Sequence, residues 1–168
     1  MTATTALPQG DVRLLDHPVA RRLLVSTELA RVAYVAPDDT PRVLPMLFHF
    51  TGDEVVFCTF AGARKITDLR ARPHVAVTID TTATPPQVLL LRGAVTVTDV
   101  DGHAPEYLAA HRRYGGQEQV DAVLAETDGQ PVRMARIGLR PTWVGVLDFT
   151  TRFPGGGSAD DFAARGRS

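Results

Sequence analysis

A chain of 168 residues, 44% apolar and 22% charged, is long enough for one domain with a substantial core and too apolar to be disordered. Its 18 basic and 19 acidic residues leave a net charge of −1, so overall charge does not point to nucleic acid, and any anion site must be local. The single cysteine, Cys58, excludes an intrachain disulfide and a multi-cysteine metal site, and no apolar run approaches the ~18 residues of a membrane span.

The start, MTATTALPQG, has neither a basic n-region nor an apolar h-region. No signal peptide is expected, a cytoplasmic location is, and residues 1–10 read as a flexible segment. DHPVARRLLVST follows, with Asp16 as N-cap and Pro18 in the first turn of a short helix. ARVAYVA reads as a strand, PDDTP as a turn, RVLPMLFHF as a second strand, TGD as a turn and EVVFCTF as a third strand. Connections this short demand an antiparallel meander.

AGARKITDLRARP interrupts the strands with a short helix whose Ile66 and Leu69 face the core and which Pro73 ends. HVAVTID is a further strand. QVLLLRGAVTVTDV is a long one, in which Gly93 marks a bulge or a close approach by another backbone or a ligand. Residues 101–128 are helical in composition, with Asp101 available as a cap and glycines breaking the run. The strands PVRMARIGLRP and TWVGVLDFTTRFP close the domain. Residues 155–168, GGGSADDFAARGRS, read as a flexible tail. The fold class is mainly β: a six- to seven-stranded antiparallel barrel with helical insertions over residues 11–154, with an open α+β sandwich as the alternative.

Arg64 and Lys65 stand out because a helix N-terminus carries partial positive charge, so two cations there are unfavourable unless an anion binds. The turn leaves free backbone N–H groups, and Thr59 at the end of the preceding strand adds a hydroxyl, which together suit a phosphate. Two solvated surface cations are the plainer alternative. The five histidines show no pair at helical metal-binding spacing, and no metal is expected. Cys58 alternates with Phe57 and Thr59 as a core strand residue would. Trp143, Gly145, Leu147 and Phe149 alternate onto one face, as core or interface. No nucleophile elbow, catalytic triad or Walker-type loop is present.

The run FCTFAGARK, with Thr59 separated by four residues from the adjacent Arg64 and Lys65, resembles the phosphate-binding segment of the pyridoxamine 5′-phosphate oxidase-like flavin-binding split barrels. TPRVLPMLFHF resembles the strand whose backbone borders the flavin ring in that family. KITDLRARPHVAVTID, LLLRGAVTVTD and RIGLRPTWVGVLDFTTRFP are similar to the elements that follow, so the likeness spans about residues 14–154.

The resemblance implies a homodimeric split barrel with flavin at the dimer interface. The flavin phosphate would lie against Arg64, Lys65 and Thr59, the ring would run along Leu44, Pro45 and Met46, and Gln87 would contribute from the second chain. The cofactor implied is FMN, with the deazaflavin coenzyme F-420 as the alternative, and the activity is hydride transfer to or from an unidentified small molecule. No residue is nominated as catalytic. In pyridoxamine phosphate oxidases proper, a histidine between arginines positions the substrate. Here TTRFPGGG offers Arg152 for one arginine and nothing for the histidine, so the resemblance does not extend to vitamin B6 oxidation. The alternative function is a flavin- or haem-binding protein without turnover, for which His49 or His111 would be the haem ligand.

Overall fold

The computed structural model describes residues 7–154 and 159–166. Its elements run from a 3-10 turn (Val12–Asp16) through α1 (Pro18–Leu24), β1 (Ala30–Val35), β2 (Pro41–Met46), β3 (His49–Phe50), β4 (Val55–Phe60) and α2 (Arg64–Ala71). They continue with β5 (His74–Asp80), β6 (Val88–Asp101), α3 (Pro105–Glu126), β7 (Arg133–Leu139), β8 (Trp143–Leu147) and α4 (Ala159–Arg165). The strands hydrogen-bond in the order β2-β1-β5-β6-β7-β4-β3, with β8 also on β6, and every pairing is antiparallel.

This is the curled, mainly antiparallel sheet with helical parts that the turn spacing predicts. The long strand β6 joins its halves. Residues 88–94 pair with β5 and 88–92 with β8, whereas residues 95–101 pair with β7. The crossing point is Gly93. A Cβ there would lie 3.0 Å from the Arg140 carbonyl oxygen and 3.1 Å from Leu139 Cδ1. The close approach is therefore made by another backbone, the β7–β8 turn, whose Thr142 N–H donates to the Arg92 carbonyl at 2.9 Å.

Four local differences have clear causes. RVLPMLFHF is not one strand but two. The chain leaves the ladder after Met46, and β3 joins β4 on the far edge. The α1 cap is His17 rather than Asp16, because the His17 ring nitrogen accepts from the Val19 N–H at 3.2 Å. Asp101 does not cap α3, whose cap is Ala104. Its Gly116 has φ 72° and ψ −169°, so the glycines kink the helical run without ending it. Phe149 leaves the β8 face, since the strand stops at Leu147 and Phe149 has φ 56°.

The core lies inside the curl. Val32, Val77, Leu91, Ile137 and Val146 come from the strands, Ile66 and Leu69 from α2, and Leu23 and Leu24 from α1. Near the start of the chain, Gln9 both donates to and accepts from Val146, and the Gly10 N–H donates to the Val144 carbonyl. Arg152 is 7% exposed and donates to the carbonyls of Val146 and Leu7. That ties the end of the barrel to its beginning and leaves Arg152 unavailable to a substrate.

The outer edge strand β2 carries prolines at 41 and 45, facing Val35 and Arg31 of β1. Proline is tolerated in a strand where its missing N–H points away from the neighbouring strand. A Gly93→Val substitution drives two methyl groups into the Arg140–Thr142 backbone. The expected loss is about 1–3 kcal/mol of unfolding free energy, read as a lower urea midpoint with an unchanged slope.

Candidate functional site

The two ends of the strand order, β2 and β3, are consecutive in sequence, linked only by Leu47 and Phe48. A cavity of about 230 Å³ opens at this gap. Leu44, Pro45, Met46 and Leu47 form one wall, Val56 and Cys58 of β4 the floor, and Glu106, Tyr107, Ala110 and His111 of α3 the other wall, with Lys65 of α2 at its margin.

Helix α3 is held over the gap at two points. At one end Glu106 accepts from Arg136 Nε at 2.8 Å, and Arg136 reaches back through its other nitrogen to Glu54 at 2.7 Å. At the other end the Arg113 guanidinium donates to the Phe48 carbonyl and stacks over the Phe48 ring, 4.5 Å from its centroid, while Tyr114 meets the same ring edge-on at 6.3 Å. Hydrogen bonds to charged groups of this kind contribute about 1.5–3 kcal/mol each.

Of the residues that the sequence singles out, the cavity brings together Leu44, Pro45, Met46 and Lys65. Arg64 is exposed and Lys65 half-buried at the first turn of α2, where the cap residue Ala63 offers no side-chain acceptor. Among the described residues neither cation has an ion-pair or hydrogen-bond partner, whereas nearby Arg70 and Arg72 pair with Asp99 and Asp39. Thr59 lies outside the cavity. Strand alternation puts it on the face of Val55 and Phe57, and Cys58 on the cavity face. Gln87 is also outside, at the start of β6, where it accepts from Arg22 at 3.1 Å.

Three polar or aromatic α3 residues of the cavity had no place in the flavin site read from the sequence: Glu106, Tyr107 and His111, the last considered only as a haem ligand. Their signal was helical periodicity, which tells that a helix exists but not which strands it covers. Burial pushes the Cys58 thiol up to about 12, so it is neutral. Burial is the largest single effect on the Glu106 carboxyl and raises it, but the Arg136 hydrogen bond, the Glu106 backbone N–H and the Arg136 charge together hold it below its ordinary value. Burial lowers both His111 and His49, so both rings are neutral at pH 7. His111 meets the Tyr107 ring at 4.4 Å in an edge contact, and its Nδ1 is buried without a hydrogen-bond partner among the described residues. An unpaired buried polar atom costs about 1–3 kcal/mol.

A second cavity, of about 260 Å³, lies on the other side of Leu47 and His111 against Tyr114, Gly115 and Gln119. No group of three or more His, Cys, Asp or Glu among the described residues is placed to hold a metal, and no described helix is long and apolar enough to cross a membrane.

The sequence pattern of the family described as pyridoxamine 5′-phosphate oxidase matches residues 17–146. Among solved structures, an F420 reductase is 26% identical, covering 73% of this chain and 93% of its own, with a TM-score of 0.55. A pyridoxamine 5′-phosphate oxidase-related, FMN-binding protein from Nostoc punctiforme is 15% identical over 86% of each chain, also at 0.55. The heme storage protein from Vibrio cholerae is 15% identical, covering 79% of this chain and 93% of its own, at 0.54. No curated protein matches the chain.

Because burial holds His17, His49 and His111 neutral, these sites bind protons more readily in the unfolded chain than in the folded one below pH 6.5. The stability contributed by His17, His49 and His111 is complete above pH 6.5 and is lost as pH falls through their lowered folded values. The expected observations are a urea midpoint that declines from pH 7 to pH 5 and ring NMR titrations centred below 6.5. A His111 midpoint at or above 6.5 would contradict its burial.

Proposed function

The chain belongs to the pyridoxamine 5′-phosphate oxidase family, and from that premise we propose that it is a dimeric oxidoreductase that binds FMN, with deazaflavin coenzyme F-420 as the alternative, and moves hydride to or from a small organic molecule. The observation that carries this reading is the meeting of the β2 edge with the unpaired α2 cations at one cavity. Leu44, Pro45 and Met46 line it, Lys65 stands at its margin, and Arg64 is the next residue along the chain.

In this reading the phosphate is received by Arg64, Lys65 and the free N–H groups of the first α2 turn. Thr59, one residue before the end of β4, is proposed as a further donor to that phosphate, although it lies off the cavity floor. The ring lies along Leu44, Pro45 and Met46. Gln87, which lies outside this chain's cavity, is proposed to contribute from a second copy. A bound flavin supplies the hydride-accepting centre itself, and the protein supplies binding, orientation and exclusion of water. The adjacent Arg-Lys pair favours FMN, and the likeness to an F420 reductase keeps the deazaflavin as the alternative. The protein needs no membrane or nucleic-acid partner for this role.

A second reading, binding of flavin or haem without turnover, draws on one observation. Glu106 is the one carboxylate on the cavity wall among the described residues, and Arg136 engages it, so it is not free to move protons. Reduction of the bound flavin by NADPH or by reduced F-420 supports the oxidoreductase, and a loaded protein that neither reduces supports storage.

Fluorescence titration with FMN and F-420 in parallel tests the site. The Arg64→Ala, Lys65→Ala double variant is expected to lose two charge-assisted contacts of about 1.5–3 kcal/mol each. Unchanged affinity would refute the phosphate assignment. Dimerisation is tested by sedimentation. The wild type is expected at twice its 18.2 kDa. Val43→Glu, on the exposed β2 edge where Val43 is 66% accessible, is expected to shift it toward monomer and weaken cofactor binding with it.

A further inference from the structure

We propose that a third cavity, apart from the one assigned to flavin, binds a small organic anion with a planar apolar body, of the class of aromatic carboxylates. The inference goes beyond the flavin reading and does not rest on it.

This cavity, of about 580 Å³, lies where the turn from β4 into α2 meets the turn from α3 into β7. Phe60 and Gly62 line it from the first turn, and Gln130, Pro131, Val132 and Arg133 from the second. It shares no lining residue with the cavity at Leu44–Met46. The two turns are tied by a hydrogen bond from the Ala61 N–H to the Arg133 carbonyl at 3.0 Å. Small-molecule sites span about 300–1,000 Å³, so the volume suits one compact ligand.

The lining is positive on one side and apolar on the other. Arg133 carries its formal charge, and no carboxylate is among the lining residues, Glu126 and Asp128 at the end of α3 included. The Arg133 guanidinium comes no nearer than 3.5 Å to Asp101, the two side chains are 67% and 95% exposed, and it donates no hydrogen bond among the described residues. A pair so exposed holds its partners weakly. The Gly62 N–H and the Gln130 side-chain amide are likewise without partners among the described residues. A planar guanidinium beside such amide donors recognises a carboxylate. Phe60 supplies the apolar side. It ends β4 with 50% of its surface exposed, next to Pro131 and Val132, and its ring is held by Tyr107 at 6.5 Å. An aromatic side chain left open in this way offers a flat ring a surface to pack on.

The test uses the full chain, with benzoate as the probe and ¹⁵N NMR as the readout. The Gly62 N–H and Arg133 Nε–H resonances are expected to move together and to saturate with benzoate. Acetate lacks the ring and benzyl alcohol lacks the charge, and each is expected to bind about tenfold or more weakly than benzoate. Arg133→Gln removes the charge at an exposed position, and Phe60→Ser removes the ring. Each is expected to weaken benzoate binding about tenfold.

Because the two cavities share no lining residue, benzoate is expected to bind equally well after FMN has been added. Loss of benzoate binding on addition of FMN would make this cavity part of the flavin site and overturn the proposal. Unmoved Gly62 and Arg133 resonances in the unsubstituted protein would overturn it without reference to any variant. Equal binding of acetate or benzyl alcohol, or wild-type affinity in either variant, would do the same. Protein that takes up benzoate at these residues but binds neither FMN nor F-420 supports this site and removes the flavin reading alone.

Discussion

The structure depends on a place where hydrogen bonding stops. Between Met46 and His49 the chain leaves one edge of the sheet and reappears on the other, so the barrel is closed by the covalent chain and not by a ladder. Backbone groups at such a gap need partners, and α3 brings some of them. Arg113 satisfies the carbonyl of Phe48, whose side chain is fully buried, and Tyr114 packs on its ring. The Glu106–Arg136–Glu54 chain fixes the other end of the same helix to β7 and to the turn before β4. Cation–π and edge contacts of this kind contribute about 0.5–2 kcal/mol each. The cavity is what remains between the two attachments.

This arrangement separates two tasks. Rigid strands set the wall at Leu44, Pro45 and Met46, while a helix inserted between β6 and β7 supplies the polar side chains that face it. The cations sit on neither, but at the start of α2, whose orientation is fixed from below by Ile66 and Leu69, both 2% exposed. The α2 cations, the apolar β2 wall and the α3 side chains therefore come from three elements that the core holds in place.

Much of the fold was legible because antiparallel strands with short turns advertise themselves through alternation and glycine, proline and aspartate punctuation. The Gly93 crossing and the inward face of α2 followed from the same rules. The break at Leu47 was not legible, since LFHF continues the apolar pattern and periodicity carries no record of which edge a residue pairs with. The Leu44–Met46 wall came through resemblance to a family, whereas Arg64 and Lys65 stood out as cations at a helix start. Cys58 and Thr59 show the limit of that route: spacing places a threonine near a helix start, but only the register of β4 tells which of two neighbouring residues faces the cavity. Glu106, Tyr107 and His111 were illegible as site residues because the strands and helix that form the rest of the cavity come from distant parts of the chain.

The prolines of β2 have a consequence for how two copies can meet. With Pro41 and Pro45 at outward-facing positions, the free border of this strand presents carbonyl acceptors but lacks two of the amide donors that a ninth strand would require. Edge-to-edge growth into a continuous intermolecular sheet is therefore frustrated at its first step. Association on this side has to proceed through side chains such as Val43, and a contact built that way is closed and finite. The same two residues that blunt the border against fibrous stacking leave it open for a partner or a planar ligand to lie against.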